Sequence, residues 1–166
     1  LKIENKFGNI FMDDFTGETE LSLSNGNLKA HDLKGKTILI LNFADASINS
    51  IDQGRIEANY SDIYIKSANN IQINSKSSNC EILEVKTLTT DSRRDKFRIR
   101  TAGILDGKGS FSSFRLNELT NRLTIRSEYG DIDIDRVTRD FGNIFLESKS
   151  TDISLYFNQE SNFDFE

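Results

Sequence analysis

The sequence predicts an all-β fold, a single-stranded parallel β-helix (β-solenoid) with coils of about 17–18 residues. Three observations predict it. A tetrad of any residue, a small residue, Asn or Asp, and an apolar residue recurs, as in "FGNI" at 7–10, "NGNL" at 25–28, "YSDI" at 60–63 and "YGDI" at 129–132. The tetrads come at a nearly constant interval. Apolar residues hold fixed offsets from them with period 2, and no 3.6-residue period is sustained for even three helical turns.

The small position of the tetrad holds Gly8, Gly26, Ala44, Ser61, Ser78, Ser112, Gly130, Gly142 and Thr151. The position after it holds Asn9, Asn27, Asp45, Asp62, Asn79, Ser113, Asp131, Asn143 and Asp152. Gaps between the first five small positions are 18, 18, 17 and 17, and the next is 34, twice 17. One turn is therefore missing near residue 95, where "TDSRRDK" (90–96) interrupts the pattern. Residues 86–110 are expected to form an irregular loop or a degenerate coil.

The tetrads read as corners. A corner often needs positive φ, which Gly adopts freely and Asn or Asp more readily than other residues. Gly8, Asn9, Gly26, Asn27, Asp45, Asp62, Asn79, Gly130, Gly142, Asn143 and Asp152 are the expected structural corners. Small side chains let coils approach at the strand spacing of about 4.7–4.8 Å, and stacked Asn or Asp can hydrogen-bond to the neighbouring coil.

Between corners lie the strands. Ile3, Leu21, Leu39, Ile56, Ile73, Ile125 and Leu146 precede the last tetrad member by seven residues, and Met12, Ala30, Ile48, Ile65, Ile82, Leu116, Ile134 and Leu155 follow it by two. With Ile10, Leu28, Ile63 and Ile132 in the tetrads themselves, they predict one column-shaped core in a single domain, residues 1–166. Ile3, Ile10, Phe15 and Leu21 are spaced 7, 5 and 6 apart. That fails the strict six-residue rule of left-handed β-helices and favours the right-handed form. "LYFNQESNFDFE" suggests a C-terminal cap over 156–166.

Composition excludes several function classes. Net charge is −5 and pI is near 5.0, with the 21 basic residues scattered, which argues against nucleic acid as a partner. Cys80 and His31 are the sole residues of their kinds, so no internal disulfide, zinc cluster or Cys/His catalytic pair can be assembled. No apolar run approaches the roughly 20 residues that span a bilayer. Any leader or membrane anchor would lie outside this sequence, which opens at Leu1 inside an expected strand.

The repeated tetrads between short Ile- and Leu-rich strands resemble the bacterial adhesin-type β-solenoid family, including domains described as autotransporter-adhesin heads. The resemblance spans the chain except about 86–110. It implies a protein of the bacterial cell surface or envelope, or an extracellular one, acting in adhesion. It supplies no catalytic motif.

Several residues are candidate binding sites. Asp131, Asp133 and Asp135 alternate with inward Ile132 and Ile134, followed by Arg136 and Arg139. Three outward carboxylates could hold Ca²⁺ against an acidic sugar, with a base nearby for a lyase; a solvated polar row is the simpler reading. Asp13 and Asp14 point to opposite faces of an extended strand. Arg93, Arg94, Lys96, Arg98 and Arg100 form the one local basic cluster, able to grip an acidic glycan or lipid headgroup, or else a solvated excursion. Phe7, Phe43, Tyr60, Phe111, Tyr129 and Phe141 share the first tetrad position; facing out they would stack into an aromatic ladder, and facing in, as apolar bulk favours, they would pack the corners. Cys80 reads as a buried hydrophobe and His31 as a surface residue.

The expected function is a non-catalytic module recognising a surface polysaccharide or a protein ligand through the solenoid flank, with no cofactor beyond a possible Ca²⁺ ion. The alternatives are an envelope scaffold that self-associates through open terminal coils, and a Ca²⁺-dependent polysaccharide lyase or hydrolase.

Overall fold

Apolar columns that repeat every 17 or 18 residues can be buried only by stacking each coil on the next, and the strands do this. In the computed structural model, which describes residues 1–158, nine strands form one parallel sheet. β1 (Lys2–Lys6), β2 (Ile10–Met12) and β3 (Phe15–Thr16) build the first coil and pair with β4 (Thr19–Asn59). β5 (Asp62–Lys76), β6 (Asn79–Arg93), β7 (Lys96–Ser110), β8 (Ser113–Val137) and β9 (Ile144–Phe157) then pair in sequence order. The expected all-β solenoid is the fold observed, and no helix occurs among the described residues.

Like residues stack on like. Ile63, Cys80, Phe97 and Phe114 are successive register partners, as are Ile65, Ile82, Ile99 and Leu116. A column not foreseen from the tetrads, Ile71, Leu88, Leu105 and Leu123, closes the third side. All twelve side chains are buried. At about 1.5–3 kcal/mol for each fully buried side chain of this size, these columns hold the coils together.

Residues 86–110 correct the expectation of a loop or degenerate coil. They lie in β6 and β7, whose rungs run from Asn79↔Lys96 to Arg93↔Ser110 at the common offset of 17. The coil escaped the pattern because its residues differ while its geometry does not. Arg94, Asp95 and Lys96 stand at its corner, and Gly107 and Gly109 at two inward positions. The glycines make room for aromatic bulk: Phe97 and Phe114 stack with ring centroids 5.2 Å apart, and a Cβ on Gly109 would sit 2.8 Å from Phe114 Cε2.

The corners correct two further expectations. Positive φ falls not on the Gly, Asn or Asp but on the residue before them: Phe7, Asn25, Phe43, Tyr60, Ser77, Arg94, Phe111, Tyr129 and Ser150, with φ between 52° and 60°. The small residue that follows turns inward instead. Where it is Ser or Asp, its side-chain oxygen accepts a backbone N–H of the preceding coil. Ala44 N donates to Ser61 Oγ, Ser61 N to Ser78 Oγ, Ser78 N to Asp95 Oδ1 and Asp95 N to Ser112 Oγ, at 3.2, 3.1, 2.7 and 3.2 Å. Where it is Gly130, the space belongs to the previous coil's carbonyl: a Cβ there would lie 2.0 Å from Ser112 O.

Gly142 and Asn143 are not corner residues. In the last coil Gly130 pairs with Thr151 and Asp131 with Asp152, while Ile144 pairs with Leu123 on a different side. "FGNI" at 141–144 ends an excursion between β8 and β9; Gly142 N donates to Asn121 O and Asn143 O accepts from Leu123 N. Of the expected cap at 156–166, residues 159–166 lie outside the described residues. Phe157 packs against the core, its ring 5.6 Å from that of Phe141.

Candidate functional site

Every corner requires one residue in the left-handed region, which costs an ordinary L-residue about 1–2 kcal/mol and Asn or Gly less. Asn25 is the economical choice. Phe7, Phe43, Tyr60, Phe111 and Tyr129 are not, and all five project outward, reversing the expectation that they pack inside. Geometry explains the reversal. The following residue must point in to meet the neighbouring coil, so the left-handed residue before it is turned to solvent. Phe7 is 81% exposed and Phe43 60%.

The exposed rings are ordered. Phe43 and Tyr60 stack with centroids 5.0 Å apart and planes within 2° of parallel; Phe111 and Tyr129 stack at 4.9 Å and 12°. Each stack returns about 0.5–1.5 kcal/mol, which offsets part of the backbone cost but not the exposure of apolar faces to water. Tyr60 and Tyr129 are thus each one half of a stacked pair whose inner faces cover each other. Phe141 stands apart, partly buried against the core.

Beside this corner lies an open trough of about 810 Å³ that crosses six coils. Its first column is Asn9, Asn27, Asp45, Asp62, Asn79 and Lys96, and its second is Phe11, Lys29, Ser47, Tyr64, Glu81 and Arg98. Amide ladders fix the first column: Asn27 Nδ2 donates to Asn9 Oδ1 at 2.9 Å and Asn79 Nδ2 to Asp62 Oδ1 at 2.6 Å. Phe11, 72% exposed, and Tyr64 are site residues the tetrad did not single out. Their signal was available, since both stand one residue beyond an inward Ile, where period 2 turns the side chain out.

Asp131 and Asp133 lie further along the same face and line a second hollow with Lys96, Arg98, Arg115 and Asp152. Asp133 faces the Arg115 guanidinium at 3.4 Å, and Asp135 accepts from Asn117 Nδ2 at 2.8 Å. Arg136 is paired with Glu118. Asp133 and Asp135 are therefore tied to separate partners on the neighbouring coil, and the three acids do not form a metal-ligating group. Among the described residues the group of three metal-ligating side chains whose ligand atoms all lie within 4.8 Å of one another is Asp14, His31 and Asp32, with Asp14 and His31 exposed and Asp32 half-buried. Asp32 is held below the usual carboxylate range by hydrogen bonds from Asn49 and Ser50.

The basic cluster is split by the fold. Arg94 takes a corner, Arg100 pairs with Glu84 at 2.9 Å, and Lys96 and Arg98 turn onto the trough face. Asp95, between them in sequence, faces the other way and is buried. Desolvation raises its pKa against the opposing effect of hydrogen bonds from Ser78 N, Ser75 Oγ and Arg93 N. Burial, with smaller effects from Asp95 and Asp62, pushes the Cys80 thiol well above its ordinary value.

A family model described as Toastrack DUF4097 matches residues 1–166. No curated protein and no solved structure matches the chain.

Proposed function

The chain belongs to the Toastrack DUF4097 family, and from that premise we propose a non-catalytic recognition module of the bacterial cell surface or envelope, holding a surface polymer or protein along its flank. The supporting observation is the choice of residue at the corners. Among the described residues, five of the nine non-glycine positions with positive φ carry exposed aromatics where Asn would fold at lower cost, and four of those rings are stacked in pairs. Folding does not reward that choice. An extended ligand lying parallel to the solenoid axis would, because its apolar groups would cover the exposed edges of the stacked rings.

The test is retention of the purified chain on an array of bacterial, plant and host polysaccharides and envelope proteins, with and without Ca²⁺. Wild type is expected to be retained selectively. Phe43→Asn/Tyr60→Asn is expected to lose retention while keeping its melting temperature, since Asn suits positive φ. Retention unchanged in that variant would remove the aromatic corner from the recognition surface. Cleavage of a retained glycan that ceases in Asp131→Ala/Asp133→Ala would instead favour the lyase.

A second reading, end-to-end assembly into an envelope scaffold, has its own support. β1, β2 and β3 pair with β4 on one side alone, and Leu1, Phe7 and Phe11 are exposed on that coil. Scattering that rises steeply with protein concentration, and falls in Phe7→Asn/Phe11→Lys, is the expected outcome under that reading.

A further inference from the structure

We infer that the trough beside the aromatic corner takes an acidic polysaccharide, with a sugar ring on Tyr64 and a uronate-type carboxylate at Lys96 and Arg98. The inference rests on the recognition reading above and specifies its ligand.

The shape selects an extended polymer. Six coils are separated by five spacings of about 4.8 Å, so the trough is roughly 24 Å long, and its volume of about 810 Å³ is within the range of ligand sites. The chemistry then favours sugar over peptide. Strands on this face are hydrogen-bonded to neighbours on both sides, as Asp62 and Tyr64 are to Asp45, Ser47, Asn79 and Glu81, so an incoming peptide finds no strand edge to extend. Recognition must come from side chains. Those available are planar amides and carboxylates, suited to hydroxyl groups, together with two exposed aromatic rings.

Charge places the anionic group. Among the described residues no carboxylate lies within 4.0 Å of Lys96 Nζ or of the Arg98 guanidinium. Arg98 is also the direct register partner of Arg115, a like-charge rung that costs stability. Arg115 turns to Asp133 on its far side, leaving Lys96 and Arg98 as cations without an ion pair at one end of the trough, with Glu81 as the register partner of Arg98 on the other side. Tyr64 is two coils away along the same column, about 10 Å at the strand spacing. The net charge of −5 is screened beyond about 8 Å at physiological salt, whereas Asp45, Asp62 and Glu81 line the trough itself, so a carboxylate is favoured only at the Lys96 and Arg98 end.

The experiment is calorimetry of the whole chain with polygalacturonate, with its fully methyl-esterified form, and with polyglutamate of matched length. Wild type is expected to bind polygalacturonate about tenfold more tightly than the ester, the worth of one charge-assisted contact. Polyglutamate should bind no better than the ester. Lys96→Gln/Arg98→Gln is expected to abolish the preference while still binding the ester, and circular dichroism should show it folded. Equal affinity of wild type for acid and ester overturns the inference; if Phe43→Asn/Tyr60→Asn then loses both ligands, the recognition reading survives it. A preference that persists in Lys96→Gln/Arg98→Gln, or polyglutamate binding as tightly as polygalacturonate, also overturns it. Binding of none of the three overturns both.

Discussion

Replacing Gly130 by Ser makes the chain look more regular, because Ser is the residue found at the same corner in three other coils. The structure predicts the opposite of a stabilised protein. A Cβ at position 130 would stand 2.0 Å from the Ser112 carbonyl oxygen and 3.0 Å from its carbon, so the two coils must part by about an ångström to restore ordinary contact. That carbonyl accepts the Asp131 N–H, a rung already long at 3.4 Å. Overpacking of about 1–3 kcal/mol and the lost rung, worth about 1 kcal/mol, give a destabilisation near 3 kcal/mol. For a chain of this size the melting temperature should fall by roughly 6–12 °C. The reciprocal change, Ser78→Gly, removes the Oγ that receives Ser61 N–H and leaves that donor buried, at a cost of about 1–3 kcal/mol. Thermal unfolding followed by circular dichroism measures both. A Gly130→Ser or Gly130→Ala protein that melts at or above wild type would refute the idea that carbonyl and side chain compete for this space, since Gly→Ala at an unstrained site stabilises by about 0.4–1 kcal/mol.

Two further outcomes follow from buried groups. Asp95 has a folded pKa raised above its ordinary value of 3.8, so the folded state holds the proton more tightly and stability falls as pH rises from about that value through the folded pKa. Asp95→Ser should flatten that fall in chemical denaturation curves across pH 3–8, whereas an unchanged pH profile would exclude the group. Cys80 is buried with its thiol pKa raised, so a thiol reagent at pH 8 should modify it at the rate of local opening. Modification within seconds in native buffer would contradict its place in the Ile63 and Phe97 column.

The period, the inward columns and most corners were legible because they depend on residue class at fixed offsets, which Ile63 and Ile65 and their stacked partners preserve. The coil at 94–110 was not, because Asp95 imitates Ser with a carboxylate oxygen and Gly107 and Gly109 replace apolar bulk that Phe97 and Phe114 supply from across the core. The tetrad's residue types alone made "FGNI" at 141–144 look like a corner, although Gly142 comes only 12 residues after Gly130 and neither Phe141 nor Gly142 has positive φ. The outward turn of Phe43 and Tyr60 was illegible for a related reason. It follows from which tetrad position takes the left-handed conformation, and composition there points to Gly and Asn instead. Tyr64 and Phe11 were legible as outward residues, but their membership of one trough needed the register between coils.

Because the rungs join each coil only to its neighbours, the backbone hydrogen bonds all point along the solenoid axis. Tension applied along that axis therefore loads the interfaces between coils in series, each interface bearing the whole force across its rungs. Extra coils would lengthen such a rod without strengthening it, and its breaking force is that of its weakest interface between coils. The interruption between Ile134 and Val137, followed by the excursion before Ile144, marks where the rod would part first. Shear along a ligand-bearing flank is different, because there the coils share the load in parallel.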